Sequence, residues 1–455
     1  MSSLPRSTPE SQGLSTGALD AFVAALDASG QELQTLMLMR HGQVVLEAEW
    51  TPYRLHERHA LFSVSKSFTS TGIGLLIAEG RLSLEDKMVS FFDGDDLPDK
   101  ISDHLAAMEV RHLLTMSTGH MQEVADSIDR DPRMVRTFLG LEVEHAPGAP
   151  FAYNNRATYT LSAILQKITG ETLLDYLRPR LFEPLGIDEA TWQLSREGIV
   201  TGGWGLSINT ESLAKFSQLL LQRGEWDGKQ LVPAAWIDEA TKKQVDNSNQ
   251  DNEDWRQGYG YQFWRARHNT YRGDGAFGQY CLVFPDHDAT LVITSASPDM
   301  QAVLDLTFEH LLPAFEGGTG DGTPRPATLE LPAPTGSAPQ GNGRTYQLDP
   351  NDTGVTAITL GETVTLTLQV PEKSETLDIV CTPGDWTEAL DTLQDPPQRL
   401  VTSVSGEGDT TVVTVRYVET PFVATLRCRP EGDRLTVDLH FNVGFGPLEA
   451  TLTSK

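Results

Sequence analysis

The sequence has little with which to build a covalent or metal framework. It holds only three cysteines in 455 residues, Cys281, Cys381 and Cys428. They are too few and too scattered for a disulfide scaffold or a zinc site. Basic side chains are scarce, 35 Lys and Arg against 63 Asp and Glu, giving a net charge of −28. That field repels phosphate backbones and anionic bilayers, so neither nucleic acid nor membrane is expected as a partner. Long apolar runs are missing too. The longest weakly charged stretch, Ala60 to Ala78, is broken by Lys66 and rich in Ser, Thr and Gly, a poor membrane span. The opening residues MSSLPRSTPESQG hold no apolar h-region, so the expectation is a cytoplasmic protein. No H-E-x-x-H or Walker pattern occurs, nor a G-x-S-x-G elbow or Rossmann G-x-G-x-x-G in its strand-to-helix setting. His56-Glu57-Arg58-His59 lacks metalloprotease spacing, and Asp93, Asp95, Asp96 and Asp99 lack the full calcium-loop pattern.

What is present is a composition able to bury a core, 39% hydrophobic and 22% charged. Leu14 to Asp27 has helical apolar spacing, and LQTLMLMR and QVVLEAEW flank His41-Gly42 as a β-hairpin would. Helices are predicted after Ser63 and over Thr158–Ile168, Glu171–Phe182, Glu211–Gln222, Pro233–Lys243 and Met300–Phe315. Strand patterns lie at YGYQFW, QYCLVFP and ATLVITS. This order suggests one largely antiparallel sheet with helices packed on it. Residues 317–343 are dominated by Gly, Pro and Thr and read as a linker. Residues 344–455 alternate apolar and polar between turn residues, an all-β barrel or sandwich of about 110 residues. A linker with few packing contacts would make that β-domain separable from residues 1–316.

Chemistry rests on S-x-x-K, which occurs at Ser63-Val64-Ser65-Lys66 and at Ser212-Leu213-Ala214-Lys215. Glu211 stands four residues before Lys215, and Leu213, Phe216, Leu219 and Leu220 form one apolar side, so the second copy reads as an amphipathic surface helix. Lys66 differs, being the only charge from Ala60 to Ala78. Burial in such a helix disfavours the ammonium, and a lysine acting as base near neutrality must fall about three units from about 10.4. Ser63, three residues earlier on the same helical face, can reach it while keeping its own N–H for an oxyanion. A buried lysine paired with a carboxylate is the competing structural reading.

The segment ALFSVSKSFTSTGIGLLIAEGRLSLEDK resembles the nucleophile region of the serine β-lactamase and penicillin-binding-protein superfamily. VRHLLTMSTGH, FAYNNRATYTLSAILQKITG, GGWGLSINTESLAKFSQLLLQRGEWDGKQLVP and GDGAFGQYCLVFP follow in the family's order. The closer similarity is to class C-like esterases and amidases of the 6-aminohexanoate-dimer hydrolase type, over about Leu14 to Phe315. The resemblance implies an α/β fold: a mainly antiparallel sheet with helices on both faces, a helical subdomain, and here an all-β C-terminal domain. It implies Ser63 as acylated nucleophile, Lys66 as its basic partner and Tyr153 as proton carrier. Asn155 would bind substrate or hold Lys66, and Gly275 and Ala276 would complete an oxyanion strand. His120 and Trp204 fall in substrate-pocket segments but read as core or rim residues.

One motif departs from the family. Gly273 stands where a lysine or histidine would grip a β-lactam carboxylate, and neighbouring Arg272 should point to the strand's other face. The implied activity is therefore hydrolysis of small esters or amides through an acyl-enzyme, with no metal or cofactor. Two alternatives stay open: β-lactamase or D,D-peptidase activity, and a non-catalytic binding or assembly scaffold.

Overall fold

The computed structural model describes residues 3–121, 131–148, 150–317, 327–337, 341, 343–369, 375–394 and 396–454. Strands β1 (Leu33–Arg40) and β2 (Gln43–Thr51) form the hairpin expected around His41-Gly42. Both turn residues have positive φ, +50° and +73°, the geometry whose twist suits a two-residue hairpin. Five further strands complete the main sheet: β3 (Trp264–Arg265), β4 (Tyr271–Gly275), β5 (Gln279–Phe284), β6 (Ala289–Ser295) and β7 (Ala327–Glu330). Their order is β7-β2-β1-β6-β5-β4-β3, antiparallel except for β7 beside β2.

Each face of this sheet carries its own core, which is why the strands read as nearly continuous apolar runs. Helix α1 (Thr16–Ala28) and the last helical segment, from Met300 to Ala314, cover Leu36, Leu38, Tyr280, Leu282 and Ile293. The other face, with Met37, Met39, Cys281 and Val283, packs on α2 (Ser65–Ala78) and α4 (Thr210–Leu221). The helical subdomain, with α3 (Asn155–Thr169), continues the same core. In α2 every residue from Ser65 to Leu76 is buried.

Residues 344–454 form four-stranded and six-stranded antiparallel sheets in which each strand pairs with the next in sequence. A bridge from Leu348 to Ser454 links the first strand of one to the last strand of the other, so the unit is barrel-like around Ile358, Val364, Val413 and Val437. Among the described residues no helix is long and apolar enough to cross a membrane.

Three expectations change. YGYQFW is not a strand beyond Trp264: Gln262 takes φ +65° and spends its side chain on Thr158, Leu113 and Leu114. Within 317–343, residues 318–326, 338–340 and 342 lie outside the described residues. Residues 327–330, however, are not linker but edge strand β7, a place where flanking prolines cost no ladder bond.

The β-unit is also far from loosely attached. Ala60 N donates to Glu419 O at 2.9 Å, Arg416 pairs with Glu32 at 2.6 Å, and Arg399 pairs with Glu57. Tyr53 is buried against Val401, Val418 and Trp386, and His59 is buried beside the same seam. The linker's composition revealed nothing of this, because the contacts come from elsewhere in the chain.

Two outcomes follow from this seam. A chain ending at Glu316 exposes Tyr53 and His59, and its thermal midpoint by circular dichroism should fall by roughly 5–10 °C. Burial also lowers the His59 pKa from 6.5 to about 4. The unfolded chain then binds the extra proton between those values, so stability is full above pH 6.5 and is lost as pH falls towards 4. The linked loss is about 3 kcal/mol. Urea unfolding of wild type and His59→Gln between pH 7 and pH 4 should show the steeper decline only in wild type.

Candidate active site

Ser63 lies in a short 3-10 turn, Phe62–Val64, that runs directly into α2. Backbone N–H groups in a first helical turn have no intrahelical acceptor, which leaves the Ser63 N–H available. Phe62, immediately before it, has φ +46°, a left-handed conformation that costs a non-glycine residue about 1 kcal/mol or more. The turn is therefore held by its surroundings rather than by local preference.

Lys66 is 2% exposed. Its Nζ donates to Ser63 Oγ at 2.9 Å, to Asn155 Oδ1 at 2.7 Å and to the Gly203 carbonyl at 2.7 Å. Nζ also lies 4.8 Å from the centre of the Tyr153 ring. These partners come from the turn before α2, the start of α3 and the loop before Leu206.

The YNN sequence divides the work at the start of α3. Asn154 caps the helix, its Oδ1 accepting from Arg156 N and Ala157 N. Asn155, the first helical residue, then presents its amide to Lys66. Tyr153, just outside the helix, stacks on Trp264 with ring centroids 5.7 Å apart. Arg156 pairs with Asp131 at 2.8 Å in nearly complete burial, fixing the segment from behind.

Strand β4 closes the other side. Gly273 faces α2, and a Cβ there would sit 2.7 Å from Ser67 Oγ. At Gly275 a Cβ would sit 2.2 Å from the Leu61 carbonyl, so only glycine lets the strand reach the turn that carries Ser63. Ala276 follows, in the loop leading to β5. The rings of Phe62 and Phe277, neighbours of Ser63 and Ala276, meet edge-to-face at 5.5 Å.

Arg272 lies on the face opposite Gly273, as strand alternation requires. It is fully buried, pairs with Asp274 at 3.0 Å and lies 4.5 Å from the Trp255 ring centre. Burial pushes the Asp274 carboxyl above its ordinary value, opposed by the charges of Arg272 and Lys66. A lysine at 273 has no room beside Ser67.

The second S-x-x-K is a correction. Ser212 and Lys215 are buried, not on a surface, because α4 packs across β1, β5 and β6. Ser212 Oγ bonds Glu189 at 2.7 Å and Lys215 Nζ bonds the Gly186 carbonyl at 3.3 Å. Glu211 pairs with Arg6 instead of Lys215. His120 is buried against Phe138, and Trp204 is half-buried beside Gly203.

Sequence reasoning missed four residues around this site. The Gly203 carbonyl carried no side-chain signal, although GGWG stood out as a motif. Gln262 links Ser67 of α2, through its carbonyl, to Thr158 of α3, through its amide. Phe422 and Phe445, far away in sequence, stand against Phe62 and Phe277.

Comparison with known proteins agrees with this geometry. A model of the family described as Beta-lactamase matches residues 19–312. The 6-aminohexanoate-dimer hydrolase of Paenarthrobacter ureafaciens is 23% identical over 310 residues, 62% of this chain and 78% of that protein. The lovastatin esterase of Penicillium rubens is 24% identical over 213 residues, 41% of this chain and 52% of its own length. The octameric penicillin-binding protein homologue from Pyrococcus abyssi superposes with a TM-score of 0.53 at 16% identity. It covers 96% of this chain and 99% of its own, so the likeness of fold reaches through the β-unit. The family match spans well over half the sequence: the chain belongs to the Beta-lactamase family and is a serine hydrolase.

Proposed function

We propose that Ser63 is the nucleophile of an acyl-enzyme hydrolase for small, uncharged esters or amides. The observation that carries this is the 2.9 Å hydrogen bond between Lys66 Nζ and Ser63 Oγ, with Asn155 and Gly203 fixing the amine. In its neutral form Lys66, together with Tyr153, takes the Ser63 proton as Oγ bonds the substrate carbonyl carbon. The N–H groups of Ser63 and Ala276 hold the resulting oxyanion. Collapse breaks the C–O or C–N bond, and Tyr153 returns the proton to the departing alcohol or amine. Water then attacks the acyl carbon, the same groups take its proton, and Ser63 leaves reprotonated with release of the carboxylic acid.

The preference for uncharged substrates rests on β4. A cation at position 273 would give a β-lactam carboxylate a charge-assisted hydrogen bond worth about 1.5–3 kcal/mol. Gly273 supplies none, and Arg272 is committed to Asp274 on the opposite face. Residues 1–316 carry the chemistry in this reading, and the region from 344 onward is a second domain docked on it.

Ser63→Ala should lower ester turnover by about 10⁴–10⁶-fold and abolish labelling by a fluorophosphonate. Tyr153→Phe should cost about 10²–10⁴-fold, whereas Ser212→Ala should leave labelling in place. Labelling that maps to Ser212, or persists in Ser63→Ala, overturns the assignment. For substrate class, kcat/KM for p-nitrophenyl butyrate should exceed that for nitrocefin; the reverse order would put β-lactam hydrolysis first.

A further inference from the structure

We infer that the C-terminal β-domain supplies the acyl-binding wall of the active site, selecting substrates with an apolar acyl chain. This rests on Ser63 being the nucleophile. Phe62 directly precedes Ser63, and Phe277 directly follows Ala276. Against these two rings stand two from the β-domain. Phe422 lies 6.0 Å from Phe62 and 5.8 Å from Phe277. Phe445 lies 5.8 Å from Phe62 and 4.9 Å from Phe277.

The cluster is unfinished on its outer side. Phe445 remains 77% exposed and Leu448 37% exposed, an unusual position for a phenylalanine whose ring already packs on two others. Beside it runs a groove of ≈ 440 Å³ lined by Tyr417, Phe422, Phe441, Val443, Pro447 and Leu448. That volume falls within the range of small-molecule sites, about 300–1,000 Å³. Tyr417 and Phe441 also line a ≈ 120 Å³ cavity inside the barrel, so apolar surface continues from the nucleophile turn into the β-domain.

The occupant that fits is the acyl chain itself. It is tethered to Ser63 throughout the acyl-enzyme stage, and the Phe62 and Phe277 rings, each one residue from an oxyanion donor, meet at 5.5 Å and carry Phe422 and Phe445 against them. The groove's side chains are apolar or aromatic apart from Gln394, Gln398 and Thr420, so no lining side chain carries a charge for a second carboxylate or an ammonium. The family match ends at residue 312, so this wall belongs to the part of the chain that match does not cover.

The test is a series of p-nitrophenyl esters from acetate to octanoate, with wild type, Phe445→Ala and Leu448→Ala. In wild type kcat/KM should rise roughly tenfold or more from acetate to octanoate, given the free energy of burying methylene groups. Both variants should flatten that rise about five- to tenfold, with the loss growing with chain length and smallest on acetate. An unaltered slope, or an equal loss on acetate, overturns the inference. So does a profile that follows the alcohol rather than the acyl chain. If Phe445→Ala instead dissociates an oligomer with no change in slope, the patch is a subunit contact and the inference falls. A second measurement needs no catalysis: binding of N-phenyl-1-naphthylamine to Ser63→Ala, followed by fluorescence. Phe445→Ala in that background should weaken binding about fivefold; unchanged binding overturns the acyl wall. If Ser63 proves unreactive towards every ester and fluorophosphonate, the nucleophile assignment fails, and with it the reading of this groove as an acyl site, whatever the probe binds.

Discussion

The architecture around Ser63 is organised by one buried amine. Taking a lysine head group out of water is costly unless its donors are satisfied, and Lys66 meets that need with oxygens from three separate parts of the chain. Ser63 lies in the 3-10 turn that leads into the lysine's helix, Asn155 arrives with α3, and the Gly203 carbonyl arrives with the loop before Leu206. Each of these elements must be in place for the lysine to be tolerated, and the same three contacts hold it against Ser63. Stability and chemistry therefore share a single set of hydrogen bonds.

The surroundings follow from holding those elements together. Asn154 caps α3 so that its neighbours Tyr153 and Asn155 emerge on either side of the helix start. Gln262 ties α2 to α3 from within the core. Gly275 brings β4 against the Leu61 carbonyl at a distance no side chain permits. The left-handed residues Phe62 and Phe277 flank Ser63 and Ala276, so backbone strain is concentrated where the helix turn and β4 meet.

The β-domain joins this arrangement through polar and apolar contacts alike. The Arg416–Glu32 pair, the Tyr53 cluster and the Ala60–Glu419 backbone bond all lie within a few residues of strands and turns that lead to Ser63. A β-region packed so close to the Ser63 turn is poorly described as an appendage. Its loop aromatics complete a surface that begins at Phe62.

The sequence by itself determined the class of fold and the central S-x-x-K, because both rest on local pattern. Period-2 and period-3.6 spacing mark strands and helices, and a single charge in nineteen otherwise uncharged residues marks Lys66. It also marked the Y-N-N element and the glycines of β4 through their likeness to a family. What local pattern misjudged was Ser212 and Lys215, whose helix has the polar spacing of a surface yet lies buried under neighbours distant in sequence. The same holds for 327–330, whose proline-rich flanks conceal an edge strand. Only tertiary structure decided that a glycine carbonyl at 203 would hold the lysine. Only tertiary structure, likewise, brought phenylalanines 422 and 445 beside 62 and 277. A backbone carbonyl leaves no residue-type signature, and contacts between residues so far apart in sequence leave no periodicity to read.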